Sequence, residues 1–270
     1  MNTLSAALGL VFLATSLCHA QGAAPKEMPL AYVLHPWQAS MPKVSAEAYF
    51  TNLPADGKIE TPFLLKFGLA GGWGLAPIKK PLGGKSGHHH LLIYSELPLD
   101  IMKPIPFSDK YVHFGKGQME AVLNLEPGVH TVRLLLANDA HQLHFVYSKP
   151  TTITVTKKNS TEPGSLVKKG LSLLNIKPGD KLTTPFRVQF HASGLNVGHL
   201  QQKDVDTGHF RLLVTPSGGG KSAEMVFENG QTETWLSPPA GGYTLRLDLL
   251  DNAKPGQSLA ESVIVAVDVK

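Results

Sequence analysis

The chain contains one sequence segment twice, and this internal repeat constrains its fold more than any other feature. Residues 87–93 read GHHHLLI, and residues 208–214 read GHFRLLV. Three more pairs follow the same order: TPF at 61–63 and 184–186, FGKGQME at 114–120 and FENGQTE at 227–233, GVHTVRL at 128–134 and GGYTLRL at 241–247. This pattern predicts two copies of one domain. Residues shared by both copies are expected to serve the fold, and polar residues of one copy are candidates for function.

Short apolar runs separated by Pro and Gly predict an all-β fold. In the second copy, Leu245, Leu247 and Leu249 alternate with charged residues, which is the period-two pattern of a half-buried strand. No segment of the sequence shows sustained helical periodicity. Several short strands in each copy of roughly 100 residues favour two tandem β-sandwich domains of the immunoglobulin or cupredoxin kind, joined by a short linker.

Composition divides the chain into five segments. Residues 4–17 are uncharged and mostly apolar, which predicts a signal peptide ending at Ala20. The whole division is a signal peptide at 1–20, an N-terminal arm at 21–48, the first repeat at 49–157, a polar linker at 158–172 and the second repeat at 173–270. We therefore expect a periplasmic or secreted protein without a transmembrane segment after cleavage. The single cysteine, Cys18, lies within the predicted signal, so a metal site in the mature chain requires His, Met or carboxylate ligands.

Seven of the twelve histidines lie between positions 88 and 144. The alternation of side chains along a β-strand assigns the first three, His88, His89 and His90, to its two faces. His89 matches Phe210, which shares one strand face with Leu212 and Val214. His89 is therefore expected in the core. His88 and His90 then project together from the opposite face, where two imidazoles can approach one cation.

Three further histidines complete a candidate metal site. His113 precedes the glycine turn of the first repeat, and His141 and His144 form a His-x-x-His pair in the loop after the predicted strand at 131–137. The second copy lacks most of these ligands, since Arg211 replaces His90, Val226 replaces His113 and residues 251–262 contain no histidine. Their joint loss predicts a single metal site formed by His88, His90, His113, His141 and His144.

Imidazole ligands suit copper, zinc and nickel, and copper is the expected metal, with zinc as the alternative. Met102 or Met119 would add a soft thioether ligand, which favours Cu(I). The alternative for each histidine is a hydrogen-bonded structural role. That alternative is strongest for His88, which matches His209, and His130 is left out because it matches Tyr243.

Two other motifs are interpreted as parts of the fold. Gln118 and Glu120 recur as Gln231 and Glu233, so they are expected to tie a turn together, and the alternative for Glu120 is to orient a ligand histidine. The glycine-rich segment at 217–222 lacks the first glycine of a phosphate-binding loop and is interpreted as a hairpin loop.

The motifs around the histidines resemble those of the bacterial family known as domain of unknown function 4399. They are GHHHLLI at 87–93, HFGKGQ at 113–118, PG-x-HT at 127–131 and H-x-x-H at 141–144. The resemblance is strong over residues 49–157 and weak over 173–269. It implies a small exported β domain and assigns no biochemical role.

The leading hypothesis is an exported copper chaperone or buffer, with a metal-receiving or envelope protein as its partner. The alternative is an envelope interaction or structural module without metal, formed by two β-sandwiches. An enzyme is the third hypothesis, although the sequence contains no Ser-His-Asp order and no HExxH motif. Nucleic acid is excluded as a partner, because the lysines behind the net charge of +4 are scattered and lack interleaved aromatic residues.

Overall fold

The computed structural model describes residues 34–39, 45–79, 82–98 and 100–270. The predicted signal peptide and most of the predicted arm lie outside these residues. The described chain is all-β apart from one turn of 3-10 helix at Pro163–Leu166, which confirms the predicted fold class. Within this part of the chain, no helix has the length and apolar character needed to cross a membrane.

The first repeat contains ten strands. They are β1 (Ala48–Phe50), β2 (Lys58–Thr61), β3 (Phe63–Leu69), β4 (Gly74–Leu75), β5 (Ser86–Ile93), β6 (Tyr111–Phe114), β7 (Glu120–Leu123), β8 (Gly128–Ala137), β9 (Leu143–Tyr147) and β10 (Thr151–Lys158).

The second repeat contains nine strands. They are β11 (Gly170–Leu173), β12 (Lys181–Leu182), β13 (Phe186–Ser193), β14 (Asn196–Val197), β15 (Thr207–Pro216), β16 (Ala223–Val226), β17 (Glu233–Leu236), β18 (Gly241–Asp251) and β19 (Val263–Val269). Strand β11 begins inside the segment predicted as linker. The segment at 217–222 connects β15 and β16, as expected for a hairpin loop.

Both repeats form sandwiches with the same strand order. In the first repeat, a three-stranded sheet β1-β3-β7 lies against a larger sheet ordered β2-β10-β8-β5, with β4 and β6 both pairing with β5. In the second repeat, the sheets are β11-β13-β17 and β12-β19-β18-β15, with β14 and β16 pairing with β15. The neighbouring strands β10-β8-β5 of the first repeat match β19-β18-β15 of the second, which is the G-F-C order of an immunoglobulin sandwich. Strand β9, which pairs with β8, has no counterpart strand in the second repeat.

A hydrogen bond at the start of the penultimate strand supports this architecture. The hydroxyl of Tyr243 donates to the carbonyl of Pro239 at 2.8 Å, the contact known as a tyrosine corner. In the first repeat, His130 Nε2 donates to the carbonyl of Glu126, also at 2.8 Å. His130 therefore replaces the corner tyrosine and serves the fold.

The two cores are built from matching aromatic contacts. In the second repeat, the ring of Phe190 lies 5.2 Å from that of Phe210 and 4.8 Å from that of Phe227. In the first repeat, Phe67 contacts His89 at 5.4 Å and Phe114 at 5.0 Å. As the strand period predicts, His89 faces the core in the place of Phe210.

The two repeats contact each other through reciprocal backbone hydrogen bonds. Val197 N donates to Gly117 O at 2.9 Å, and Leu75 N donates to Gly230 O at 2.8 Å. Gly117 and Gly230 occupy the same place in the two repeats and have φ values of 91° and 74°. A side chain on either glycine would overlap a carbonyl oxygen of the other repeat, so the turn sequence serves the contact.

The repeated GQ-x-E motif has two structural roles. Gln118 accepts a hydrogen bond from Lys116 N at 2.9 Å, and Gln231 accepts one from Asn229 N at 3.0 Å, so each glutamine ties its turn as predicted. The two glutamates instead join the repeats, since Glu120 contacts His191 at 2.9 Å and Glu233 contacts Tyr49 at 2.7 Å. The alternative that Glu120 orients a ligand histidine is wrong, because its hydrogen-bond partners are His191, Ser193 and Gly194.

Part of the N-terminal arm pairs with the second repeat. Ala39 N donates to Trp235 O at 2.9 Å, and Ser237 N donates to Trp37 O at 2.7 Å. The Trp37 ring packs against Tyr243 with centroids 5.7 Å apart. Residues 34–39 therefore extend the edge of the second repeat at β17.

Candidate metal centre

The first repeat contains two segments that the second repeat lacks, here called the two additions. They contact each other on the outer face of the larger sheet. The β5–β6 connection spans 94–110, whereas the β15–β16 connection spans only 217–222. Strand β9 and its preceding turn at 138–142 form the second addition, and residues 252–262 of the second repeat hold only an isolated bridge to Ser258. Ile105 N donates to His141 O at 2.8 Å, which joins the two additions.

The additions bury an apolar layer that we call the outer core. Its buried members are Leu92, Ile105, Leu135, Ala137 and Leu143. It lies on the side of the larger sheet opposite the main core, which a β-sandwich normally exposes to solvent. This layer explains why every residue of β5 is buried and why polar side chains on its outer face are buried as well.

Four histidines converge beside the outer core: His88, His90, His113 and His141, the histidine cluster. One ring nitrogen from each lies within 4.8 Å of the others. His88 Nε2 is 2.9 Å from His90 Nε2, and His113 Nδ1 is 3.3 Å from His90 Nε2. Nitrogen ligands about 2.0–2.1 Å from one ion are separated by about 3 Å when adjacent, so these spacings suit a shared metal ion.

Strand register and turn chemistry produce this convergence. His90 and His113 are paired across β5 and β6, so their side chains leave the same face of the sheet. His141 lies in a tight turn with φ of 60°, a left-handed conformation that histidine adopts more readily than most residues. Asn138 builds that turn, because its Oδ1 accepts hydrogen bonds from Ala140 N at 3.0 Å and from Gln142 N at 2.9 Å.

The surroundings keep the cluster in the uncharged form that binds metals. Burial and the neighbouring His90, His113 and His141 lower the pKa of His88 to about 2. Burial lowers the pKa of His90 to about 3, with smaller contributions from His113 and His141. Burial also lowers the pKa of His113 and His141. Neutral imidazole offers a lone pair, whereas imidazolium offers none.

An exposed aromatic ring covers the outer half of the cluster. The ring centroid of Phe107 lies 4.7 Å from that of His141 and 5.2 Å from that of His113, and Phe107 is 64% exposed. Sequence reasoning missed this residue. The signal was available in the greater length of the 94–110 connection, which contains Pro98, Pro104 and Pro106, relative to its counterpart in the second repeat.

His144 lies apart from the other four predicted ligands. It belongs to strand β9 rather than to a loop, and its ring packs on Trp73 with centroids 4.7 Å apart. His141 and His144 therefore diverge, because one lies in a turn and the other in an extended strand. Met119 is also absent from the site, since it is fully buried in the main core, and Met102 is 69% exposed.

Three cluster histidines have a ring nitrogen without a protein partner. These are the Nδ1 atoms of His88, His90 and His141, which are buried and make no hydrogen bond within the described residues. Metal-ligating histidines usually donate this second N–H to a carboxylate or carbonyl, which raises metal affinity.

The second repeat places a different polar cluster at the same register. Arg211 pairs with Asp248 across β15 and β18, as His90 pairs with Leu135 across β5 and β8. Arg211 donates two hydrogen bonds to the buried Asp248 at 2.8 and 3.1 Å. Arg246 and Ser262 also contact Asp248, and these four residues form the Asp248 ion-pair cluster. His209, the counterpart of His88, is 2.6 Å from Asn252 Oδ1.

Two regions of the chain, residues 65–156 and 188–270, match the model of a family described as domain of unknown function (DUF4399), and together they cover more than half of its length. The chain belongs to the DUF4399 family. The resemblance seen in the sequence is therefore confirmed, including its two repeats. The histidine cluster lies wholly within the first DUF4399 region, and the Asp248 ion-pair cluster lies within the second. No curated protein shows significant similarity to the chain.

Solved structures similar to this DUF4399 protein include modular β-sandwich proteins. The fibronectin(III)-like modules of Clostridium thermocellum CbhA are 11% identical, with 83% of this chain and 94% of that chain covered and a TM-score of 0.27. A segment of two fibronectin type-III domains from chicken tenascin is 13% identical, with coverage of 83% and 98% and a TM-score of 0.23. Dimeric latent PorU from Porphyromonas gingivalis is 10% identical, with coverage of 83% and 20% and a TM-score of 0.29.

Proposed function

We propose that this protein is an exported copper-binding protein that acts as a chaperone or buffer, with the histidine cluster as its metal site. The observation that carries the proposal is the convergence of four imidazole nitrogens within 4.8 Å. No thiolate or carboxylate belongs to this group, so the ligand set is purely nitrogen. Divalent copper binds such ligands more tightly than zinc or nickel does, which favours copper.

Reversible binding suits the cluster better than a permanent structural role. Contacts within the protein position the histidines, since the outer core and the register of β5, β6 and β8 bring them together. Three Nδ1 atoms lack the protein partner that strengthens ligation, and His113 and His141 are only partly buried. A metal bound there is held by a preformed site and remains close to the surface, as transfer to a partner requires.

The test is a metal titration of the chain purified without a polyhistidine tag. Cu(I), Cu(II) and Zn(II) are titrated in the presence of competing chelators, and about one equivalent of copper is expected to bind. His90→Ala and His141→Ala should each lower copper affinity about 10-fold or more, as expected when one ligand is lost. Circular dichroism should show that both variants remain folded.

Two control variants change residues that lie outside the histidine cluster. His144→Ala removes the other histidine of the His-x-x-His pair, and Arg211→Ala changes the counterpart of His90 in the second repeat. Neither should alter copper affinity by more than about 2-fold. Wild-type binding no tighter than millimolar, or unchanged affinity in His90→Ala, would remove the proposed site. Tighter binding of Zn(II) than of copper would overturn the choice of metal.

A further inference from the structure

A cleft between the two repeats reaches the histidine cluster from the side. Its volume is about 680 Å³, within the range of small-molecule sites. The first repeat contributes residues 77–79, 113, 115, 116 and 118, and the second contributes 196, 202 and 204–207. The hydrogen bond from Val197 N to Gly117 O joins the two walls.

His113 belongs to both the cluster and the cleft, and its two nitrogens face different directions. Nδ1 lies 3.3 Å from His90 Nε2, inside the cluster. Nε2 lies over Gly115, so close that a Cβ on that glycine would overlap it, and Gly115 lines the cleft. When Nδ1 ligates a metal, the ring remains neutral and Nε2 carries the proton. The cleft side of His113 is then a hydrogen-bond donor.

The charged groups of the cleft favour an anion. Lys79 and Lys116 line it and are exposed, and among the described residues neither makes an ion pair. On the opposite wall, Asp206 is paired with Lys169 at 2.8 Å, and Asp204 accepts a hydrogen bond from Gln202 at 3.1 Å. The wall formed by the first repeat, which carries Lys79 and Lys116, is therefore the side of the cleft that attracts an anion. Pro77, Ile78 and Val205 add apolar surface, which suits an organic body rather than a bare inorganic ion.

We propose that the cleft binds a small organic carboxylate, which pairs with Lys116 and accepts a hydrogen bond from Nε2–H of His113. The proposal rests on the proposed function at one point, because ligation through Nδ1 is what places the proton on Nε2. The bound carboxylate then acts as the outer hydrogen-bond partner of His113, a role that a carboxylate or carbonyl usually has for a metal-ligating histidine. Carboxylate binding and metal binding strengthen each other by the same factor, because linkage is reciprocal.

The test uses succinate as the probe, because it binds metal ions weakly by itself. Isothermal titration calorimetry measures succinate binding to the full chain in two forms. The first form is free of metal, and the second carries one equivalent of the metal that the chain binds in the titration described above. Succinate should bind the metal-loaded chain at least about 5-fold more tightly than the metal-free chain. Lys116→Gln should weaken succinate binding at least about 5-fold in both forms, without changing metal affinity measured in the absence of succinate.

A matched control and an anion control complete the experiment. Lys221→Gln changes an exposed lysine in the hairpin loop at 217–222, outside the cleft, and should leave succinate binding unchanged. Inorganic phosphate should bind more weakly than succinate, and equal binding would overturn the assignment to an organic carboxylate.

The outcomes separate this proposal from the proposed function. If copper binds and succinate does not bind either form, the metal site stands and the cleft proposal is wrong. If no metal binds and the metal-free chain still binds succinate through Lys116, the proposed function fails while the cleft remains a carboxylate site without the coupling. Succinate binding that is equal in Lys116→Gln and wild type overturns the proposal in either case.

Discussion

The histidine cluster of the first repeat and the Asp248 ion-pair cluster of the second occupy the same place on the same sandwich. His90 and Arg211 share one register position, as do Leu135 and Asp248. The first repeat covers this place with two additions and keeps only uncharged imidazoles there. The second repeat lacks the additions and instead pairs a buried carboxylate with arginines at its rim. One scaffold therefore supports either a buried metal-ligating face or a buried ion pair.

The length of the connecting segments determines which chemistry the shared strand face can carry. Arg211 and Arg246 are partly exposed, so they bring charge to Asp248 while their own ends remain solvated. Four histidines in the same open position would be solvated and would titrate near their usual pKa. Covered by the outer core, they remain neutral and close together.

The largest expected effect comes from breaking the ion pair of the second repeat. Arg211→Met leaves the fully buried Asp248 with fewer charged partners and should lower the free energy of unfolding by about 2–3 kcal/mol. Adding Asp248→Leu, the residue type of Leu135, should restore much of that loss, because both polar partners are then replaced by apolar groups. Urea unfolding of the three proteins measures the difference. A double variant no more stable than Arg211→Met would show that the two sites are not interchangeable in this way.

A smaller change in stability, of opposite sign, is expected at the position where the first core contains His89 and the second contains Phe210. His89 is fully buried, neither of its ring nitrogens has a partner within the described residues, and burial lowers its pKa to about 3. His89→Phe installs the residue type of Phe210 and should stabilise the protein by about 1–2 kcal/mol at pH 7, because two unsatisfied polar atoms leave the core.

Metal affinity provides the second readout of that variant. His89 faces away from the histidine cluster, so copper binding should match that of wild type. A lower thermal midpoint in His89→Phe would mean that the larger ring does not fit the first core.

The smallest expected change in stability concerns Glu120 and Glu233, which join the two repeats. The partner of Glu120 is a histidine, which can change its charge between pH 5 and 7, whereas the partner of Glu233 is an arginine, which cannot. Burial lowers the pKa of His191 although Glu120 partly opposes the shift, whereas Glu233 is paired with Arg187, which stays charged. A folded-state pKa below the usual value of about 6.5 means that the unfolded chain binds more protons, so stability falls as pH drops below 6.5.

His191→Gln keeps a hydrogen-bond donor and removes this titration. Between pH 7 and 5, the variant should lose less stability than wild type, by up to about 1.4 kcal/mol per pH unit. Urea unfolding of the metal-free proteins at pH 7, 6 and 5 measures the two slopes. Equal slopes would assign the acid sensitivity to other histidines.

Sequence patterns predicted those features that depend on neighbouring residues along one strand. The division of His88, His89 and His90 between two faces follows from the period of a β-strand, and the structure shows that division. Matching positions in the two copies also indicated that Gln118 stabilises its turn and that His130 serves the fold. Equivalent positions of a duplicated domain have similar surroundings, so their side chains make similar contacts.

The duplicated all-β architecture and the strand faces can be predicted from the sequence, because both are local or repeated properties of the chain. That His141 joins the cluster and that His144 packs on Trp73 depends on the tertiary structure, because a turn and a strand orient nearby side chains in different directions. The cleft at His113 is also a tertiary feature, since it depends on the hydrogen bond from Val197 N to Gly117 O, and these residues lie far apart in the chain. Long-range contacts of this kind have no periodic signature in a single sequence.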